Sequence, residues 1–261
     1  MPRVRALSGP KPRDAPEPSH PMPRHLRTLT ALLRRAETVT LLAVLCVAGG
    51  LWAFAALAAE MLEGDLHVFD ETLLMALRRA GDPARPIGGP HLEIVMRDIT
   101  ALGGITVLTL VTISAMVYLV LRRQRASALF LAVAVLGGQV LSRIAKAGFA
   151  RPRPDLVPHG VDVTSASFPS GHSMMAAVTY LTLAVMLARQ EPAWPIRAFF
   201  VVVAALLAIS VGLSRVYLGV HWPSDVLAGW ALGAAWALLV WLVARWMGRR
   251  GGIEPDRARP E

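Results

Sequence analysis

Apolar residues run along this chain in long blocks rather than in alternation. A helix needs about 20 apolar residues to cross a bilayer core. Six blocks approach that length: Thr38 to Ala59, Ile99 to Leu121, Ala126 to Ala145, Ser173 to Ala188, Ile196 to Leu213 and Val226 to Met247. The fourth, of 16 residues, is short and opens on a polar turn, Pro169 to His172. No acidic residue interrupts any of them. The pattern predicts an all-α protein, a six-transmembrane-helix bundle, with a long first outer loop from Glu60 to Asp98. Ala56-Leu57-Ala58 resembles a signal-peptidase site, but the first apolar run, about 22 residues, exceeds the 7–15 of a signal core and is read as a retained span. Between the first two spans, Phe69, Leu73, Leu74 and Leu77 recur at helical spacing and predict an amphipathic helix capping the membrane surface.

Composition sharpens this picture. The 261 residues are 54% hydrophobic and only 17% charged, with mean hydropathy +0.49, yet the net charge is +9 and the pI near 11.0. So apolar a chain is neither disordered in bulk nor a soluble nucleic-acid binder. A lone cysteine, Cys46, excludes a disulfide scaffold. Residues 1–37 carry seven prolines and eight basic residues and read as a disordered basic cytoplasmic tail; residues 38–247 are the membrane domain and 248–261 a second cytoplasmic tail. With both termini inside, 18 basic residues fall on the cytoplasmic side and nine outside, as the positive-inside bias requires. The expected location is a cell inner membrane, multi-pass, with residues 146–172 and 214–225 facing the periplasm or exterior.

Three polar clusters share that outer layer. In the first, Lys146 is followed by Arg151-Pro152-Arg153-Pro154. Only Lys11 and Lys146 are lysines in a chain that otherwise uses arginine, and the two prolines hold the arginines on extended backbone. The second, Phe168-Pro169-Ser170-Gly171-His172-Ser173, opens the fourth span. A helix N-terminus offers unpaired N–H groups and the positive end of a dipole to an anion. The third runs from Ser214-Arg215 to His221-Trp222-Pro223-Ser224-Asp225. His221 and Asp225 lie four residues apart, so a carboxylate can orient the imidazole. Cations, helix-start amides, two histidines and a helper carboxylate are the inventory of phosphoryl transfer, which these groups support without metal or cofactor.

These clusters resemble the type 2 phosphatidic acid phosphatase superfamily, which is similar to the vanadium haloperoxidases. Its pattern is Lys, six residues, Arg-Pro; Pro-Ser-Gly-His; and Ser-Arg, five residues, His, three residues, Asp. Here it reads Lys146 to Arg153-Pro154, Pro169 to His172, and Ser214-Arg215 to His221 and Asp225. The resemblance implies phosphate binding by Lys146, Arg153, Ser170, Gly171 and Arg215. It implies His221 as nucleophile, Asp225 as its orienting carboxylate and His172 as general acid, with Arg151 in a supporting part. It further implies a membrane-embedded phospholipid or isoprenoid lipid phosphate as substrate, without nucleic acid. Alternatives are a haloperoxidase-like vanadate enzyme, an inactive lipid-binding or transport protein on the same fold, and a metal hydrolase using His159, His172 and His221 with Asp155, Asp162 or Asp225.

Overall fold

A computed structural model of the chain describes residues 24–161 and 165–249. Eight helices and one small hairpin follow in order: α1 (Arg24–Glu63), α2 (His67–Ala76), β1 (Arg78–Arg79), β2 (Asp82–Pro86), α3 (Gly89–Ala101), α4 (Ile105–Leu121), α5 (Arg125–Phe149), α6 (Gly171–Ala188), α7 (Trp194–Tyr217) and α8 (Pro223–Arg249). The chain divides into two units, residues 1–39 and 40–261. The described part of the first is the opening of α1. It starts directly after Pro23, where the last helix-breaking proline is passed and a run of Leu, Ala and Arg begins. Residues 24–37 are thus helical although they were expected in the tail; the rest of both predicted tails, residues 1–23 and 250–261, lies outside the described residues.

Five helices are long and apolar enough to cross a membrane, and α3 with α4, taken together across a 44° bend, meet the same length and composition, which gives up to six spans. The uniform apolar block over Ile99 to Leu121 gave no sign of this break. It falls at Leu102-Gly103-Gly104, where the chain closes α3 with short turns from Gly103 N–H to Thr100 O and from Gly104 N–H to Ala101 O. The Tyr180 hydroxyl on α6 donates to the Leu102 carbonyl at 2.7 Å and satisfies an acceptor that the break frees. A Cβ on Gly103 would stand 2.3 Å from Val211 Cγ1, so glycine lets the bend press against α7.

The helix at the centre is α6. It packs against α4, α5, α7 and α8. Its face is built of small residues, including fully or nearly fully buried Ala176 and Ala177. Small residues let helices approach where lipid supplies no hydrophobic drive between them. On α8, a Cβ at Gly233 would lie 2.6 Å from the Met174 carbonyl oxygen. Indole N–H groups secure the periphery: Trp230 donates to Ala208 O and Trp236 to Ala134 O.

The predicted amphipathic helix is present as α2, but its apolar residues divide. Leu74 is fully buried against Val157, Val216, Trp222 and Val226, while Phe69 and Leu73 stay more than 40% exposed. The hairpin after it is anchored by Arg78, whose guanidinium donates to Tyr217 O at 2.9 Å. Nothing in the hydrophobic pattern marked this hairpin, since it holds few apolar residues.

Candidate active site

Consecutive antiparallel helices bring the end of α5, the start of α6, the end of α7 and the start of α8 to one end of the bundle. Lys146, Gly171 with His172, Arg215 and Asp225 therefore share a level, although up to 79 residues separate the first from the last. A cavity of about 340 Å³ opens there, lined among others by Lys146, Arg153, Gly171, His172, Arg215 and His221. Thr100, Ala101, Val161 and Ser165 complete its wall.

Each cation is aimed by neutral partners. Lys146 donates to the carbonyl oxygens of Ala166 and Ser167. Arg153 reaches the Ser165 carbonyl at 2.9 Å and the Val220 carbonyl at 2.6 Å. Arg215 donates to Thr100 Oγ1 at 2.9 Å, and its buried Nε has no hydrogen-bond partner. Among the described residues no carboxylate pairs with Lys146, Arg153 or Arg215. Burial presses the Arg153 guanidinium below its ordinary value, with Asp225 opposing. Arginine nevertheless stays charged.

His221 is 1% exposed. Its Nε2 lies 3.2 Å from Arg153 Nη1 and its Nδ1 lies 3.4 Å from Asp225 Oδ2. A guanidinium only donates, so Nε2 presents its lone pair and the proton sits on Nδ1, facing the carboxylate. Burial lowers the imidazole pKa from 6.5 to about 3, outweighing the opposing pull of Asp225. The ring is thus neutral at neutral pH, with the lone pair of Nε2 turned toward the cavity side. Asp225 Oδ2 also accepts from Trp222 N–H at 3.0 Å and from the Ser167 hydroxyl at 2.5 Å. Ser167 Oγ stands 3.2 Å from His221 Nδ1 and so touches both members of the pair.

The remaining predicted residues fall as follows. Gly171 lines the cavity, and a Cβ there would meet Lys146 Cε at 3.3 Å. With His172 it heads α6, where the first amides have no intrahelical acceptor. The Ser170 hydroxyl is turned into the helix instead: it accepts from Ser173 Oγ at 2.8 Å and caps Ser173 N–H. Arg151 points away from the cavity lining, toward Asp225 Oδ1 and Asp70 Oδ2, each at 2.7 Å. His159 Nε2 is 2.8 Å from the Pro154 carbonyl, and among the described residues no three His, Cys, Asp or Glu side chains gather as a ligand set. Sequence reasoning missed Ser167, Thr100 and Asp70. Ser167 lies one residue before Phe168-Pro169-Ser170, which was a local hint. Thr100 and Asp70 lie in the preceding spans and loop, where nothing local marks them.

Fold and site together define a helical membrane protein whose histidine-bearing, cation-lined cavity opens at one end of the bundle. The chain belongs to the PAP2 superfamily, whose family model matches residues 127–249. It is similar to phosphatidylglycerophosphatase B of Bacillus subtilis (strain 168), at 36% identity over 152 residues, 58% of this chain and 74% of that protein. It is also similar to undecaprenyl-diphosphatase of Sulfolobus acidocaldarius (34% identity, 44% of this chain and 54% of the relative) and to lipid A 1-phosphatase of Rhizobium johnstonii (30%, 49% and 52%). The chain thus spans only about half the length of those two. The crystal structure of the transmembrane PAP2-type phosphatidylglycerolphosphate phosphatase from Bacillus subtilis superposes with a TM-score of 0.67 at 30% identity, covering 81% of this chain and 98% of that one.

Proposed function

We propose that the protein hydrolyses the phosphate or pyrophosphate group of a membrane lipid through a phosphohistidine formed on His221. A lipid phosphatase activity follows from the family and its named relatives. One observation carries the finer reading: three cations face one cavity with no carboxylate ion pair among the described residues, beside a buried neutral imidazole. Uncompensated buried cations are costly, and an anionic ligand supplies the missing charge.

In this reading the phosphoryl oxygens take the N–H groups of Lys146, Arg153 and Arg215 and the first amides of α6. Arg153 thereby leaves Nε2 of His221. The lone pair of Nε2 attacks phosphorus, the P–N bond forms, and the bond from phosphorus to the lipid oxygen breaks. His172 gives that oxygen its proton. Water then attacks phosphorus, returns a proton to His172, and the P–N bond breaks to release phosphate. Asp225 balances the charge on the phosphorylated ring through Nδ1–H. The chemistry is hydrolytic and balanced without a redox partner or metal.

Facing of the cavity away from the cytoplasm rests on the distribution of basic residues, 18 inside against nine outside. A thiol placed at exposed Leu156 in a Cys46→Ser background should react with an impermeant reagent added from outside. Reaction only from the cytoplasmic side would reverse the orientation. Turnover is tested by phosphate release from purified phosphatidic acid, phosphatidylglycerol phosphate, undecaprenyl pyrophosphate and lipid A, with His221→Ala as control. An acid-labile phosphoenzyme should form in the wild type and be absent from the variant. Absence of release from every lipid would favour a lipid-binding role on the same fold, and wild-type release by His221→Ala would end the phosphohistidine mechanism.

A further inference from the structure

Behind His221, away from the cavity, lies a second ionisable group that the mechanism above does not use. Asp70, on α2, is fully buried. Its Oδ1 accepts the Ser224 backbone N–H at 2.8 Å, and its Oδ2 accepts the Ser224 hydroxyl at 2.6 Å and Arg151 Nη2 at 2.7 Å. Ser224 N–H is one of the orphan donors at the start of α8, so Asp70 caps that helix from 154 residues away. Arg151, with only 12% of its side chain exposed, spans the two carboxylates, giving Nη2 to Asp70 and Nη1 to Asp225. Nη1 also reaches Ser224 Oγ at 2.8 Å.

The charges matter more than the count of bonds. Arg151 on its own would neutralise Asp225, and a neutralised pair offers little to a cation forming on His221. With Asp70 on its far side, the row Asp70, Arg151, Asp225 keeps one net negative charge, and it is delivered at Oδ2 next to Nδ1 of His221. We infer that Asp70 is a positioning residue for the phosphoryl-transfer step: it holds Arg151 so that Asp225 is fixed in orientation yet remains anionic toward His221. Asp70 lies outside the segment matched by the family model, so this part of the centre is built by the loop between the first two spans. The inference rests on His221 acting as the nucleophile.

Charge and scaffolding roles separate in a double-mutant cycle. Asp70→Asn retains the size of the side chain and removes its charge, leaving the row neutral. Adding Arg151→Gln restores one net negative charge on Asp225. Turnover of a lipid phosphate by purified, monodisperse protein should fall about tenfold in Asp70→Asn with KM changed by less than about twofold, and recover to within about threefold of wild type in Asp70→Asn/Arg151→Gln. Asp70→Glu, which keeps the charge, should lie nearer wild type than Asp70→Asn. Wild-type kcat in Asp70→Asn overturns the inference. So does a double variant no better than the single, or an Asp70→Asn chain that fails to fold, because each assigns Asp70 to scaffolding or to nothing. His221→Ala run in parallel keeps the two readings apart: residual wild-type turnover there removes the nucleophile assignment, whatever Asp70 does.

Discussion

His221 stands between two groups of charged side chains, each built around at least one that is buried: Arg215 on one side, Asp70 and Asp225 on the other. On the cavity side, Lys146, Arg153 and Arg215 are held by carbonyls and a threonine hydroxyl, with no carboxylate among the described residues. On the other side, Arg151, Asp70 and Asp225 satisfy one another through bonds of 2.7 Å. The same residue type thus plays opposite parts. Arg215 keeps a buried Nε without a partner, whereas Arg151 serves two carboxylates and a serine. The cavity side carries positive charge with no carboxylate partner among the described residues, the arrangement that the proposed phosphate ligand would complete. The rear side pairs its own charges.

The largest expected contrast comes from removing a cation on each side. Arg215→Met removes the proposed contact to the phosphoryl oxygens, and phosphate release should fall by about 10²–10³. The same change relieves an uncompensated buried charge, so Tm should not fall and is expected to rise by about 2–4 °C. A large drop in Tm would show that Arg215 is structurally satisfied after all. Arg151→Gln should do the reverse. It strands two buried carboxylates, and chemical denaturation in detergent should register a loss of about 3–5 kcal/mol. A stability equal to wild type would dissolve the distinction between the two sides.

Smaller effects sharpen it. Inorganic phosphate at about 100 times its Kd should stabilise the wild type by about 2.7 kcal/mol, seen as a raised Tm, and should leave Arg215→Met almost unmoved. Equal shifts in both would locate the anion elsewhere. Acid probes the imidazole between the two sides. The pKa of His221 is 6.5 when the chain is unfolded and about 3 in the fold, so the unfolded chain binds the extra proton between those values. Stability should therefore fall as pH drops from about 6.5 toward 3, more steeply in wild type than in His221→Ala. Parallel slopes would mean that His221 does not contribute.

The cavity side was legible in the sequence because its residues sit in local patterns at helix ends. Lys146, Arg153, Gly171, His172, Arg215 and His221 all line the cavity. The rear side was not. Asp70 meets Ser224 across 154 residues, and a single acidic residue in an acidic loop has no pattern to distinguish it. Arg151 was noticed only as a neighbour of Arg153, since its partners come from α2 and α8. Ser170 shows a different limit. A serine before a helix serves equally as cap or ligand, and its hydroxyl takes the cap. For the fold, span count followed from apolar block length, but the bend within the second span did not. Hydropathy averages over the two glycines that make the bend, and the Tyr180 bond that stabilises it is set by packing.

That bend gives a half-buried tyrosine within the bundle influence over the cavity wall. Thr100 and Ala101, which line the cavity, end α3 immediately before Leu102, whose carbonyl is tethered by Tyr180. The wall's position is thus calibrated from α6, the same helix whose first turn presents Gly171 and His172. A single helix thus touches two parts of the cleft wall, one through its own first turn and one through a hydrogen bond to the end of α3.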